Sequence, residues 1–322
     1  MSYFTPANIR MWSRLGSCGA HAMAMGYLAE NDKSIIAMEA DLGVHAGLDR
    51  FRRSYPENYV NVGISEQNMI AVAAGMASEG YKVFASTFAS FASARPLDQI
   101  RVNMGYMQLP VKLMGLTAGL SAGFLGATHL GTEDMAIIRS IPNITILSPA
   151  DSTETVKAVL AAAESDKPVY IRLTGTMGSP VVYKEDYDYR IGKGIKLRDG
   201  SDAAIIATGT MVAESLKAAE ALSEQGISAS VIDIHTIRPL DGEMIRQCLD
   251  CKLIVTAEEH SITGGLGSAV AEEISPCAHK PPQLLIGLPS SYPDADSYEA
   301  MLEKYGLTAE KIAGKIAEFM KQ

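Results

Sequence analysis

Glu66 opens an amphipathic stretch, Phe88 and Phe91 stand three residues apart, His129 closes a glycine-rich run, and Arg172 ends an apolar run. These residue types can move a proton, stack on a ring and grip an anion. Each has a plainer use as well. Glu66 could complement a helix N-terminus with Ser65 as its cap, the phenylalanines could be core, and His129 could bond to backbone. Their common feature is position: all lie on or just after short apolar runs that read as strands. In open α/β sheets, ligands bind outside the carboxyl ends of the strands. Glu39-Ala40-Asp41 follows the first such run, Gly63–Glu66 the second, Ser86–Phe91 the third, and the glycine-rich loop ending in His129 the fourth.

The elements that must position these residues alternate along the chain. Strands are predicted at 34–38, 59–62, 82–85, 111–116, 144–147 and 169–173, with helices at 66–78, 88–106, 133–140 and 152–164. Met11, Leu15, Cys18, Ala22, Met25 and Ala29 add an amphipathic helix near the start. The alternation stops after residue 180, where residues 181–194 are rich in Tyr, Gly and charge. It resumes with strands at 203–207, 229–232, 253–256 and 284–286, and helices at 211–223, 242–248, 267–274 and 308–320. The expected fold class is therefore α/β, with two doubly wound domains. A larger, mostly parallel domain (1–180) is joined by a linker (181–194) to a smaller one (195–322).

Composition narrows the possibilities. The 322 residues are 47% hydrophobic and 20% charged, which excludes a disordered chain. Acidic residues number 37 against 28 basic ones, a net charge of −9 without any Lys/Arg run, so a nucleic-acid partner is not expected. Four cysteines in so long a chain do not make a disulfide framework. Residues 113–131 lack Asp, Glu, Lys and Arg, but their five glycines fit a strand and loop better than a membrane span. No membrane association is expected, and the expected location is the cytoplasm. Cys248-Leu-Asp-Cys251 has no second pair for zinc. Gly264-Gly265-Leu266-Gly267 opens a helix and could hold an anion, but it lacks the full dinucleotide fingerprint.

Asn61-Val-Gly-Ile-Ser-Glu66-Gln-Asn-Met, Ser86-Thr87-Phe88 with Phe91, and Gly126-Ala-Thr-His129 followed by Glu133-Asp134 together resemble the C-terminal half of transketolases. Ser148–Asp151 and Ala257–Ser268 resemble the same family, and the resemblance covers nearly the whole chain. It implies one subunit of a split transketolase, moving a two-carbon ketol unit from an anionic ketose to an aldehyde with thiamine diphosphate. The GDG…N motif that holds Mg2+ and the diphosphate in this family is absent from the sequence. The implied partner is therefore an N-terminal subunit carrying that domain and the magnesium, in an α2β2 assembly; no metal ligand is expected in this chain. The resemblance makes Glu66 the carboxyl that shares a proton with N1′ of the cofactor and His129 the second catalytic residue. It makes Phe88 and Phe91 the wall around the pyrimidine, and Asp41 an acid near the cofactor at the subunit contact.

Substrate contacts fall on Arg14, His45, Leu125, His129 and Arg172. Arg14 and Arg172 match phosphate-contacting arginines, and His45 replaces a small hydroxyl residue. Leu125 stands where the family has an acid that recognises a sugar hydroxyl, Thr117 falls on a family histidine, and Ala94 lies near a third aromatic. A leucine cannot replace a charge-assisted hydrogen bond, so a non-standard sugar is expected. Competing readings are a subunit like deoxyxylulose-phosphate synthase, one like the β subunit of 2-oxoacid dehydrogenases, a non-catalytic regulatory subunit, and a stand-alone anion-binding module.

Overall fold

The structure, a computed structural model, describes residues 3–321. Its strands are β1 (Ile35–Glu39), β2 (Tyr59–Asn61), β3 (Lys82–Phe88), β4 (Lys112–Leu116), β5 (Thr145–Leu147), β6 (Val169–Arg172), β7 (Ile195–Arg198), β8 (Ala203–Ala207), β9 (Ala229–Asp233), β10 (Thr236–Arg238), β11 (Leu253–Ser261) and β12 (Gln283–Leu288). They form a seven-stranded sheet, β10-β5-β6-β4-β3-β1-β2, and a five-stranded sheet, β12-β11-β8-β9-β7. All pairs are parallel except β10 with β5 and β7 with β9. Strands such as Ile-Ile-Ala-Met-Glu and Ala-Ala-Ile-Ile-Ala are buried throughout, as expected where helices cover both faces of a parallel sheet. The expected two doubly wound α/β units are present, the larger first.

The first helix, Pro6–Ala29, starts on a capping bond from the Asn8 N–H to Thr5 Oγ1 (3.2 Å). It kinks at Gly16, whose φ of 71° is open to glycine at little cost. A Cβ there would lie 3.0 Å from the Thr176 carbonyl, so the kink seats the helix against the segment after β6. Ser17 Oγ donates to the Thr174 carbonyl (2.8 Å) at the same place. The predicted helix 88–106 is instead broken: Ala89–Ala94 ends before Pro96, and after a short turn the chain continues as a π-helix over Ile100–Tyr106. Pro96 cannot donate the hydrogen bond that a continuous helix would need.

The two sheets share a core, in which Ile146 and Tyr170 of the first pack in one cluster with Ile206, Ile232 and Ile254 of the second. Residues 181–194 tie both halves together. Tyr183 donates to Asp233 Oδ2 (2.6 Å) and Tyr187 to Glu154 Oε1 (2.9 Å), with the two rings stacked 4.0 Å apart. Burial pushes the Glu154 and Asp233 carboxyls above the usual carboxylate range. No helix among the described residues is long and apolar enough to cross a membrane.

Candidate active site

Glu66 is the first residue of the helix Glu66–Ser78, which begins five residues after β2 ends. Ser65 does not cap this helix; its hydroxyl turns back to the Val62 carbonyl (2.8 Å). The Glu66 carboxylate points instead across the sheet edge, where Oε1 accepts from Arg95 Nη1 at 2.6 Å. Its residue exposure is 5%, and Oε2 has no bonded partner among the described residues. The capping explanation for Glu66 thus loses its partner.

From Arg95 a continuous row of rings leads along the strand ends. The guanidinium lies 3.6 Å above the centroid of Phe91. Phe91 stands 5.6 Å from Phe88 and 5.2 Å from His129, Phe88 is 6.0 Å from His129, and His45 meets Phe88 edge-on at 5.3 Å. β3 and the helix after it position both phenylalanines, Phe88 buried and Phe91 half-buried. The glycine-rich loop delivers His129, whose carbonyl accepts from Ser90 Oγ (3.0 Å). His129 Nδ1 is bonded to Thr128 Oγ1 at 2.9 Å, which leaves Nε2 without a bonded partner among the described residues.

Beside His45 lies a polar pocket of about 400 Å³ that includes Glu39, Asp41, Tyr59 and Asn61. Asp41 is exposed, sits at φ 60°, and receives Asn61 Nδ2 at 3.2 Å. The fully buried Glu39 accepts from Tyr59 OH at 2.7 Å and from the Leu42 N–H. The buried Thr87 and Thr117 hydroxyls, near the carboxyl ends of β3 and β4, have no hydrogen-bond partner among the described residues. This set fits a flat heteroaromatic ring with nitrogen donors and acceptors: a carboxyl with one free oxygen, an aromatic wall and unpaired hydroxyls.

The remaining expected contacts divide. Arg14 is exposed on the first helix, two residues before its kink, and has no ion pair among the described residues. Leu125 is 50% exposed at the end of a single 3₁₀ turn, Gly123–Leu125. Arg172 corrects the expectation. Its side chain is 1% exposed and fully engaged within the fold. Nε donates to both oxygens of the buried Asp134 (3.0 and 2.9 Å), and Nη2 donates to the carbonyls of Gly131 (3.1 Å) and Glu259 (2.7 Å). A guanidinium so enclosed has no face left for a substrate anion. The Gly264–Gly267 anion site is likewise filled from within, because Glu258 accepts from the Leu266 and Gly267 N–H groups (2.7 and 2.8 Å). Burial pushes the Glu258 carboxyl up to about 7, opposed by those two bonds.

Residues 17–177 match the family model of the transketolase pyrimidine binding domain, and residues 192–312 that of the transketolase C-terminal domain. The chain belongs to the transketolase family. It is 40% identical over 297 residues to a putative transketolase C-terminal section of Methanocaldococcus jannaschii, covering 92% of this chain and 93% of that protein. A 6-deoxy-6-sulfo-D-fructose transketolase subunit of a Clostridium species is 39% identical over 287 residues, covering 88% of each. A solved structure described as a split-gene transketolase in an inactive β4 tetramer superposes with a TM-score of 0.84 at 38% identity, over 94% of this chain and 97% of that one. This transketolase chain corresponds to the C-terminal, pyrimidine-binding subunit of a split enzyme.

Arg95 is the site residue that sequence reasoning missed. It lay inside a predicted helix, one position after Ala94, near which the resemblance puts the family's third aromatic. The signal available was an arginine close to two phenylalanines, since a guanidinium stacks on an aromatic face.

Proposed function

We propose that this transketolase chain supplies the pyrimidine half of a thiamine diphosphate site and works only with a partner subunit. The partner would hold the diphosphate and Mg2+, in an α2β2 complex that transfers a ketol unit between sugars. The observation that carries this reading is the row Glu66–Arg95–Phe91–His129–Phe88 along the strand ends. When bound, the cofactor supplies the carbanion equivalent that no amino-acid side chain provides. Glu66 offers Oε2, the oxygen that Arg95 leaves free, to share a proton with the ring nitrogen N1′. Phe88 and Phe91 exclude water from the ring, and Asp41 holds the polar end of the cleft near the subunit contact. His129, with Nε2 free, exchanges a proton with the substrate oxygen. Arg14 grips the anionic end of the sugar, and His45, edge-on to Phe88, contributes a second polar contact to the substrate. The domain limits remain 1–180 and 195–322, with 181–194 as linker.

Val44, Ile64, Phe124 and Met177 follow β1, β2, β4 and β6, and each is at least 73% exposed. So many apolar tips on one edge favour a protein cover over open water. The Leu125 side chain and the sulfo-sugar relative support an anionic ketose of non-standard body, such as a sulfonated, branched or deoxy sugar. The test is reconstitution with a partner of the diphosphate-binding type. Ketol transfer should need both chains, and Glu66→Gln should lower kcat about 10²–10⁴-fold with little change in cofactor affinity. Unaltered H/D exchange at C2 of the bound cofactor in Glu66→Gln would sink the proton-sharing role.

A further inference from the structure

The glycine-rich loop that carries Leu125 and His129 is held by the second half of the chain. Its two ends meet where the Gly119 N–H donates to the Gly131 carbonyl (2.8 Å). β11 reaches this neck from the five-stranded sheet. There Glu259, 1% exposed, accepts the Leu120 N–H on Oε1 at 2.7 Å. Its Oε2 accepts from Thr210 Oγ1 and from Tyr298 OH, the latter at 2.7 Å. Its carbonyl receives Arg172, whose same nitrogen reaches Gly131, and the Ser261 N–H donates to Thr132 (2.8 Å). Gly119, at φ 68°, leaves room for the carboxylate, since a Cβ there would collide with it. The tip of the loop leans on the same half: a Cβ at Gly123 would lie 3.1 Å from the Asp296 carbonyl, and one at Gly126 would lie 3.4 Å from Ala295.

We infer that Glu259 is a positioning residue, through which the C-terminal domain sets where Leu125 and His129 stand over the cleft. This rests on the functional reading above only for its consequence in catalysis; the clamp itself is a property of the chain alone. A carboxylate accepting three donors from three separate segments is more than packing requires. Charge-assisted bonds are the strong ones, and this one fixes the neck of a loop that has four glycines and little stiffness of its own.

The experiment is hydrogen–deuterium exchange on the full chain, read in peptides covering 118–131 and, as control, the helix 66–78. Glu259→Gln turns an acceptor toward two hydroxyls and an amide into a group that also donates. Exchange at the loop neck should rise about ten- to hundredfold, with the control unchanged. Tyr298→Phe keeps the carboxylate, removes one donor and should show the same pattern at smaller size, so an unfolded Glu259→Gln does not leave the question open. In the reconstituted enzyme, Glu259→Gln should raise KM for the ketose about tenfold, lower kcat less, and leave cofactor affinity alone, a pattern that general loosening would not produce. Unchanged loop exchange in a folded variant overturns the clamp. Faster loop exchange with no ketol transfer by the wild-type complex would retire the functional reading and leave the clamp standing.

Discussion

At the rim of the cleft Glu66 has one bonded partner, the guanidinium of Arg95, whose side chain is 46% exposed. Behind it Glu259 has three donors, and Arg172 four acceptor contacts, all out of water. Both regions use acids and arginines, yet they are held in opposite ways. The rim keeps bonding capacity unspent at Glu66 Oε2 and His129 Nε2. In the joint behind it, both carboxylate oxygens of Glu259 and both of Asp134 are bonded to protein groups. A carboxylate placed for chemistry is thus recognised by what it lacks, and one placed for structure by its full set of partners.

Breaking the joint should have the larger effect on folding. Asp134→Ala leaves the Arg172 guanidinium buried without its counter-charge and removes the partner of Tyr170 OH. The expected loss is about 3–5 kcal/mol in denaturant unfolding. A loss under ~1 kcal/mol would mean that the joint tolerates an unpaired charge and that the contrast with the rim is false. Next in size, Leu125→Asp at the exposed rim should leave stability unchanged and shift kcat/KM toward ordinary 2-hydroxyaldehyde phosphates about ten- to hundredfold. No shift would remove Leu125 from the specificity argument. The smallest effect belongs to Arg95→Ala. A half-exposed ion pair contributes at most ~1 kcal/mol, so unfolding should scarcely change. Because its guanidinium covers the face of Phe91, its removal should tighten cofactor binding about two- to fivefold in calorimetry of the complex. Weaker binding would make Arg95 a ligand instead of a cover.

The same contrast decides what could be read in advance. The helix at Glu66 was legible to the residue, because a polar start followed by an apolar stripe needs no distant partner. β3 and β11 were both predicted too short. β3 runs on through Ser86 and Thr87 to Phe88, and β11 through Glu258, Glu259 and His260 to Ser261. Polar residues hide a strand whose charges are neutralised by groups remote in sequence, here a helix N-terminus, Leu120, Thr210 and Tyr298. The two antiparallel strands, β7 and β10, were not anticipated, since three or four residues of mixed polarity carry no usable period. Their place at or after strand ends also put Glu66, Phe88, Phe91 and His129 on one edge, where the structure joins them in a row through Arg95. Arg172 occupied an equally suggestive place, and only its burial beside Asp134 separates it from them.

β10 belongs by sequence to the second half and by hydrogen bonding to the first sheet, where it covers β5. Arg238 at its end donates to the carbonyls of Ile141 and Arg139, fastening that strand to the segment that precedes β5. A bare β5 would present a row of unpaired amides beside Ile146 and the shared isoleucine cluster, the kind of surface on which chains stack into aggregates. Residues 1–180 made on their own should therefore be sticky and short-lived, and the two halves have to be inherited, synthesised and degraded as one piece.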